Sequence, residues 1–69
     1  MPLTMAGKGS AFSVKKITGK DDTKRFLENL GFIEGVSVSV VSEIGGNLII
    51  NVKGTRVALD RTLAGRIIV

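Results

Sequence analysis

The sequence contains no cysteine, histidine, tryptophan or tyrosine, and it has only one proline and three phenylalanines. Without Cys the chain forms no disulfide, and without Cys and His it lacks the usual ligands of structural zinc, so packing or a partner must hold the core. The same absences remove the imidazole base and the thiolate nucleophile, and they disfavour a high-affinity transition-metal site. We therefore expect a protein that is not an enzyme and that binds no cofactor.

Long apolar segments are absent as well. Uninterrupted aliphatic runs reach only three residues, as in Leu48–Ile50, against the roughly 20 that span a bilayer. The first eight residues lack the basic start and the apolar stretch of a signal peptide, so we expect a cytoplasmic protein. With 69 residues in total, the chain has room for one small domain, which we expect to cover residues 1–69.

The apolar pattern of the first half predicts a strand followed by a short helix. Residues 11–18 are typical of a strand, and the odd spacing from Val14 to Ile17 predicts a bulge near Lys15 and Lys16. Asp21 or Asp22 can cap a helix that runs through residue 30, and three apolar residues are expected on its buried face: Phe26, Leu27 and Leu30. So short a helix is unstable alone and must dock on the sheet.

Glycine marks the end of this helix. Gly31 follows the last apolar position, where a left-handed residue closes a Schellman motif and Phe32 packs back on Leu27. We expect further turns at glycines along the chain, and the full set of predicted structural turn glycines is Gly31, Gly35, Gly45, Gly46 and Gly54.

The pattern of the second half predicts a meander of strands. Alternation in residues 36–40 predicts a half-buried strand, followed by a turn at residues 45–47. A three-residue turn with a bulge would pair Ile44 with Leu48 and keep apolar faces together, so we prefer it to a two-residue Gly45-Gly46 turn. A two-residue turn at residues 53–54 then places Ile50 opposite Val57. One helical turn in residues 59–65 and a last strand at 66–69 complete the order.

This order predicts a mostly β fold, a small SH3-like five-stranded barrel with one short helix after the first strand and a helical turn before the last. The glycine-lysine segments at residues 7–10 and 19–20 lack the spacing of a phosphate-binding loop. Ten basic against six acidic residues give a net charge of +4, which suits nucleic acid, yet all three phenylalanines are expected in the core and leave no stacking platform. We expect no nucleic-acid partner on these grounds.

A specific resemblance begins at residues 27–35, Leu-Glu-Asn-Leu-Gly-Phe-Ile-Glu-Gly. This segment resembles the helix end of the FeoA family of bacterial ferrous iron transport, in which Leu-Gly-hydrophobic precedes a second Gly and an alternating Val strand. Residues 1–3, the segment Gly54–Leu59 and the ending from Ala64 to Val69 resemble other parts of the family in the same order. Glu34 departs from the Pro usual in the family and costs the turn some rigidity.

The resemblance implies an SH3-like barrel and a soluble accessory role, without catalysis, for a FeoB-type GTPase-linked membrane transporter of ferrous iron. The partner would then be the cytoplasmic part of that transporter, and the protein a monomer or a weak homo-oligomer. Two alternatives stay open: a nucleic-acid-binding small barrel, and a regulatory domain of an iron-dependent repressor-type system. The expected partner-binding residues, on the exposed helix face and the adjoining turn, are Lys24, Arg25, Glu28, Ile33 and Glu34.

Overall fold

The computed structural model describes all 69 residues. It contains a short 3-10 helix, six strands and two helices. In chain order they are the 3-10 helix Leu3–Met5, β1 Ala11–Ser13, β2 Lys16–Ile17, α1 Asp21–Asn29, β3 Ser37–Ile44, β4 Asn47–Val52, β5 Thr55–Asp60, α2 Arg61–Ala64 and β6 Ile67–Ile68. None of the helices is long and apolar enough to cross a membrane.

The strands form two antiparallel sheets, one with the order β1-β3-β4-β5 and one that pairs β2 with β6. The predicted first strand is split between them. The amide of Val14 donates to Val36 O at 2.9 Å beside the large sheet, whereas the next amide, of Lys15, donates to Ile68 O at 2.7 Å beside the small one. The irregularity that the sequence placed near Lys15 and Lys16 is therefore a change of sheet rather than a bulge.

Helix α1 ends as the sequence predicts but begins differently. At its C-terminal end Gly31 has φ +108°, its amide donates to Glu28 O at 3.0 Å, and the amide of Phe32 donates to Leu27 O at 3.1 Å. These are the two hydrogen bonds of a Schellman motif. The N-cap is Lys20, without a side-chain hydrogen bond, so the expected cap by Asp21 or Asp22 is wrong. Both carboxylates lie in the first turn, where their negative charges interact favourably with the positive end of the helix dipole and stabilise the helix.

The first hairpin corrects the predicted turn. Ile44 pairs with Asn47, so the turn holds only two residues, Gly45 and Gly46, with φ +56° and +84°. Positive φ at both positions is the requirement of the type I′ turn that fits twisted strands. The apolar faces still meet, because the register shifts between Val40 and Ser42 and Val40 comes to lie opposite Ile50. The bulge is thus in the strand rather than at the turn.

The second hairpin has the predicted register, with Ile50 opposite Val57. Beyond it, α2 begins at its N-cap Asp60, whose Oδ1 accepts the Leu63 amide at 2.8 Å, so the predicted helical turn is present. Residues from every layer meet in one core, whose buried members are Leu3, Val14, Leu27, Phe32, Val38, Val40, Leu48, Ile50, Val52, Leu59, Ala64, Ile67 and Val69. The SH3-like, mostly β prediction is confirmed, with six strands instead of five because the first is split.

Candidate functional site

A shallow groove of about 100 Å³ lies where strand β2, helix α1 and the turn after α1 meet. Two apolar side chains and four charged ones line it: Ile17, Phe32, Lys16, Lys24, Glu28 and Glu34. Phe32 is fully buried and Ile17 is half-buried, whereas the four charged residues are exposed. The groove is therefore an apolar floor with a rim of mixed charge.

Helix periodicity explains why α1 contributes Lys24 and Glu28. These residues are one turn apart on the same side of the helix. Leu27 is fully buried and Thr23 and Leu30 are half-buried, so Lys24 and Glu28 lie beside the core-facing side of α1. The two charged side chains consequently extend along the border between helix and groove.

The turn after α1 is held by one backbone hydrogen bond to the segment between β1 and β2 and by another within the turn itself. The amide of Gly35 donates to Val14 O at 2.8 Å, and the amide of Val36 donates to Ile33 O at 3.0 Å. These bonds position Glu34 at the rim and leave Ile33 43% exposed. The turn thus presents an acidic and a large apolar side chain next to each other.

None of the four rim charges takes part in an ion pair, since the one salt bridge of the structure joins Arg61 to Glu43 elsewhere. The rim carries two positive and two negative side chains, each free to meet a charge of opposite sign on a partner. No group of three or more carboxylates that could hold a metal ion is present.

The structure brings together part of the predicted partner-binding set. Lys24, Glu28 and Glu34 line the groove, whereas Arg25 and Ile33 are exposed but lie outside its lining. The prediction missed the β2 contribution of Lys16 and Ile17. The irregular spacing around these residues was the available signal, because it marks the change of sheet that places β2 beside the groove.

Phe26 is placed differently from the prediction. It was expected on the buried face of α1, but 49% of its surface is exposed. The buried stripe of the helix is narrow and centred on Leu27, from which Phe26 is rotated by about 100°. The premise that all three phenylalanines are taken up by the core is therefore wrong, and the helix carries one exposed aromatic ring.

The split first strand, the meander and the short helix before the last strand define the class, a small SH3-like domain. Over residues 1–69 the chain matches the family described as FeoA domain. The protein therefore belongs to the FeoA family. A relative from Methanocaldococcus jannaschii, named as a candidate Fe(2+) transport protein A, is 34% identical over 68 residues, which cover 99% of this chain and 83% of the relative.

Solved structures agree with the family and with the fold. The crystal structure of an iron uptake regulatory protein, FeoA, is 33% identical with a TM-score of 0.87, covering 96% of this chain and 88% of that one. FeoA of Stenotrophomonas maltophilia in complex with zinc, described as a prokaryotic SH3 domain protein, is 30% identical with a TM-score of 0.85 over 99% and 87% of the two chains. The family and its SH3-like fold are thus both established for this protein.

The fold also occurs inside larger regulators. A manganese-dependent transcriptional repressor has a TM-score of 0.86 at 18% identity, with 97% of this chain matching 39% of that one. So distant a likeness shows a shared fold alone.

Proposed function

We propose that this protein binds the cytoplasmic part of a FeoB-type, GTPase-linked ferrous iron transporter and modulates iron uptake. Support for the link with ferrous iron comes from the family and from two relatives, one named as a candidate Fe(2+) transport protein and one described as a candidate ferrous iron transport activating factor. The role is that of a binding module, with no catalytic step of its own.

The observation that carries the proposal is the groove. Protein interfaces combine an apolar centre that is freed of water with a polar rim that fixes orientation. Half-buried Ile17, backed by the fully buried ring of Phe32, supplies this centre, and four unpaired charges surround it. Ile33, exposed in the adjoining turn, adds apolar surface that a partner can cover.

Charge gives the approach its direction. The protein carries a net charge of +4, and Lys24 and Arg25 are exposed on the helix beside the groove. Long-range attraction then steers the protein toward an acidic patch of the transporter, and apolar contact at the turn holds the complex. The two steps are separable, because charge acts mainly on association and buried contacts act mainly on dissociation.

The steering step is tested by measuring binding kinetics on the immobilised cytoplasmic part of the transporter over a range of salt concentrations. We expect Lys24→Glu with Arg25→Glu to slow association and to flatten its salt dependence. The matched control, Lys8→Glu with Lys53→Glu, makes the same change in net charge at exposed residues outside the groove lining. An equal slowing by both pairs would show that net charge, rather than this helix, steers the encounter.

The holding step is tested with Ile33→Asp. Since Ile33 is 43% exposed, the fold should survive and dissociation should become faster. Ile44→Asp is the matched control, because Ile44 is 66% exposed at the tip of the first hairpin. A folded Ile33→Asp variant that binds as tightly as the parent would remove the turn from the interface.

One observation favours nucleic-acid binding as a second candidate. Phe26 is exposed on α1 of a protein with a net charge of +4, and an exposed aromatic ring can stack on a base of a single strand. A titration with a single-stranded oligonucleotide tests it, because phosphate-driven affinity falls linearly with the logarithm of salt concentration. Binding that Phe26→Ala weakens at every salt concentration would support this candidate, and no binding at low salt would dismiss it.

A further inference from the structure

Strand β5 forms an open edge of the four-stranded sheet. It is the last strand of the order β1-β3-β4-β5, and only β4 and the short α2 make substantial contact with it. Val52 and Thr55 flank the two-residue turn between β4 and β5 and form its closing hydrogen-bonded pair. Hydrogen-bonded and non-hydrogen-bonded pairs alternate along an antiparallel ladder, so Arg56 and Ala58 belong to non-hydrogen-bonded pairs with β4. Their N–H and C=O groups therefore point away from β4. No other backbone hydrogen bond uses these groups.

The outer face of the same sheet is almost without charge. The register places the following residues on it: Ala11, Ser13, Ser37, Ser39, Ser42, Ile44, Asn47, Ile49, Asn51, Arg56, Ala58 and Asp60. Its two charged members, Arg56 and Asp60, have opposite signs and both lie on β5. They are spaced two residues to either side of Ala58, and neither forms a salt bridge.

We propose that this edge is where a second copy of the chain adds, with the two β5 strands antiparallel about a two-fold axis at Ala58. In this register Ala58 pairs with Ala58 of the second copy, and Arg56 lies opposite Asp60 of the second copy. By symmetry the charge pair occurs twice. The strand is thus complementary to itself both in its free backbone groups and in its charges.

The neighbouring register is less favourable. If the axis passed through Val57, the backbone groups of Arg56 and Ala58 would still pair, but the two Arg56 side chains would become diagonal neighbours. Diagonal side chains on one face are about 7–8 Å apart, so the like charges would repel, and Asp60 would face a glycine. Charge therefore selects the register centred on Ala58.

Both charged residues are available for this pairing. Arg56 is exposed, and although one oxygen of Asp60, Oδ1, caps α2, its Oδ2 remains free. On the inner side of the edge, Val57 is only half-buried and would gain cover from the second copy. A six-residue strand gives a small interface, so the dimer is expected to be weak and to depend on concentration. The inference is independent of the proposed transporter partner.

The absence of cysteine makes disulfide trapping a clean test. Directly opposed residues of a hydrogen-bonded pair have Cα atoms about 5.5 Å apart, within the range that a disulfide can bridge. We expect Ala58→Cys to form a covalent dimer under mild oxidation, many-fold faster than Ala11→Cys on the exposed opposite edge of the same face. Equal rates of cross-linking for the two variants would overturn the proposal.

Sedimentation of the purified chain alone gives the second readout. We expect a concentration-dependent dimer that Ala58→Lys abolishes, because two lysines would face each other at the axis, whereas Ala11→Lys leaves it intact. Arg56→Glu should also weaken the dimer, since it places Glu opposite Asp60. A chain that stays monomeric up to about 1 mM overturns the proposal. A dimer that Ala58→Lys leaves unchanged also overturns it. A third contrary outcome is a monomeric chain whose Ala58→Lys variant loses only transporter binding, because the edge would then serve the transporter instead.

Discussion

Around the groove, two lysines and two glutamates surround an apolar floor, whereas the outer face of the four-stranded sheet carries only Arg56 and Asp60 as charges. The groove is assembled from parts distant in the chain, namely β2, α1 and the turn after α1. The sheet face comes mainly from two consecutive hairpins. The groove therefore forms only when distant elements pack together, whereas the composition of the outer sheet face is set by strand register.

The two regions offer a partner different groups, side chains in the groove and backbone at the edge of the sheet. If the groove binds a partner as proposed, its side chains would supply the specificity, because the backbone is engaged within the fold, as in the hydrogen bond from Gly35 to Val14. At the β5 edge, the backbone of Arg56 and Ala58 supplies the unpaired groups, and in the proposed dimer the side chains would only select the register. Substitutions should accordingly act through side-chain burial in one region and through strand pairing in the other.

The largest effect is expected at the groove floor. Phe32 is fully buried, so Phe32→Ala removes a core ring and should cost about 3–5 kcal/mol of unfolding free energy. For a domain of this size such a loss lowers the melting temperature by tens of degrees or prevents folding, as thermal or urea unfolding would show. Phe26→Ala is the matched control, because this ring is 49% exposed and should cost less than about 1 kcal/mol. Similar losses for the two variants would mean that Phe26 is also part of the core.

The helix end that shapes the groove should be the next most sensitive point. Gly31 has φ +108°, a conformation that a β-branched residue avoids, so we expect Gly31→Val to cost about 1–3 kcal/mol. The cost is conformational, since a Cβ there would only make ordinary contacts with Val52 and Lys53 at 3.6 and 3.7 Å. Gly7→Ala serves as control, because Gly7 lacks a positive φ and has open space around it. Equal melting temperatures for Gly31→Val and the parent would contradict this account of the helix end.

Much of the sheet could be predicted from local pattern, because alternation and turn chemistry act over a few residues. The register of the second hairpin followed from matching Ile50 with Val57. The first hairpin was missed by one residue because a shift between Val40 and Ser42 restores the apolar match that a three-residue turn was invoked to provide. A turn and a bulge are alternative solutions to the same register problem, and sequence alternation does not distinguish them.

The candidate site was predictable only in part. Lys24 and Glu28 followed from helix periodicity, and the exposed Ile33 from its place after the Schellman motif. The contribution of Lys16 and Ile17 depends on which sheet each half of the first strand joins, and that is decided by β6, more than forty residues away in the chain. The exposure of Phe26 likewise depends on how wide a side of α1 packs against the rest of the domain. The sequence of the helix alone does not specify that width.

A smaller effect is expected where β5 meets α2. The Asp60 side chain accepts the Leu63 amide at 2.8 Å, so Asp60→Ala removes an N-cap and should cost about 0.5–2 kcal/mol. Asp60→Asn keeps a capping oxygen and should retain most of the stability, while it removes the negative charge from the β5 edge. Chemical denaturation measures the first effect and sedimentation the second. An Asp60→Asn variant that is as stable as the parent and yet a weaker dimer would separate capping from edge pairing, whereas an equal loss of stability in both variants would assign the residue a role other than capping.

The smallest effect is expected at the one salt bridge, between Arg61 and Glu43. Their side chains are 54% and 41% exposed, so water screens the attraction and the pair holds two flexible side chains in one geometry at an entropic cost. We expect Glu43→Gln to change the unfolding free energy by no more than about 0.5 kcal/mol, and the change to shrink further in molar salt, where the screening length falls to about 3 Å. Urea unfolding at low and high salt measures both quantities. A loss above about 1 kcal/mol that persists in high salt would show that this pair stabilises the junction of β3 and α2 in a way its exposure does not suggest. A negligible loss would show that this exposed pair contributes little to folding, as screening by water and salt predicts.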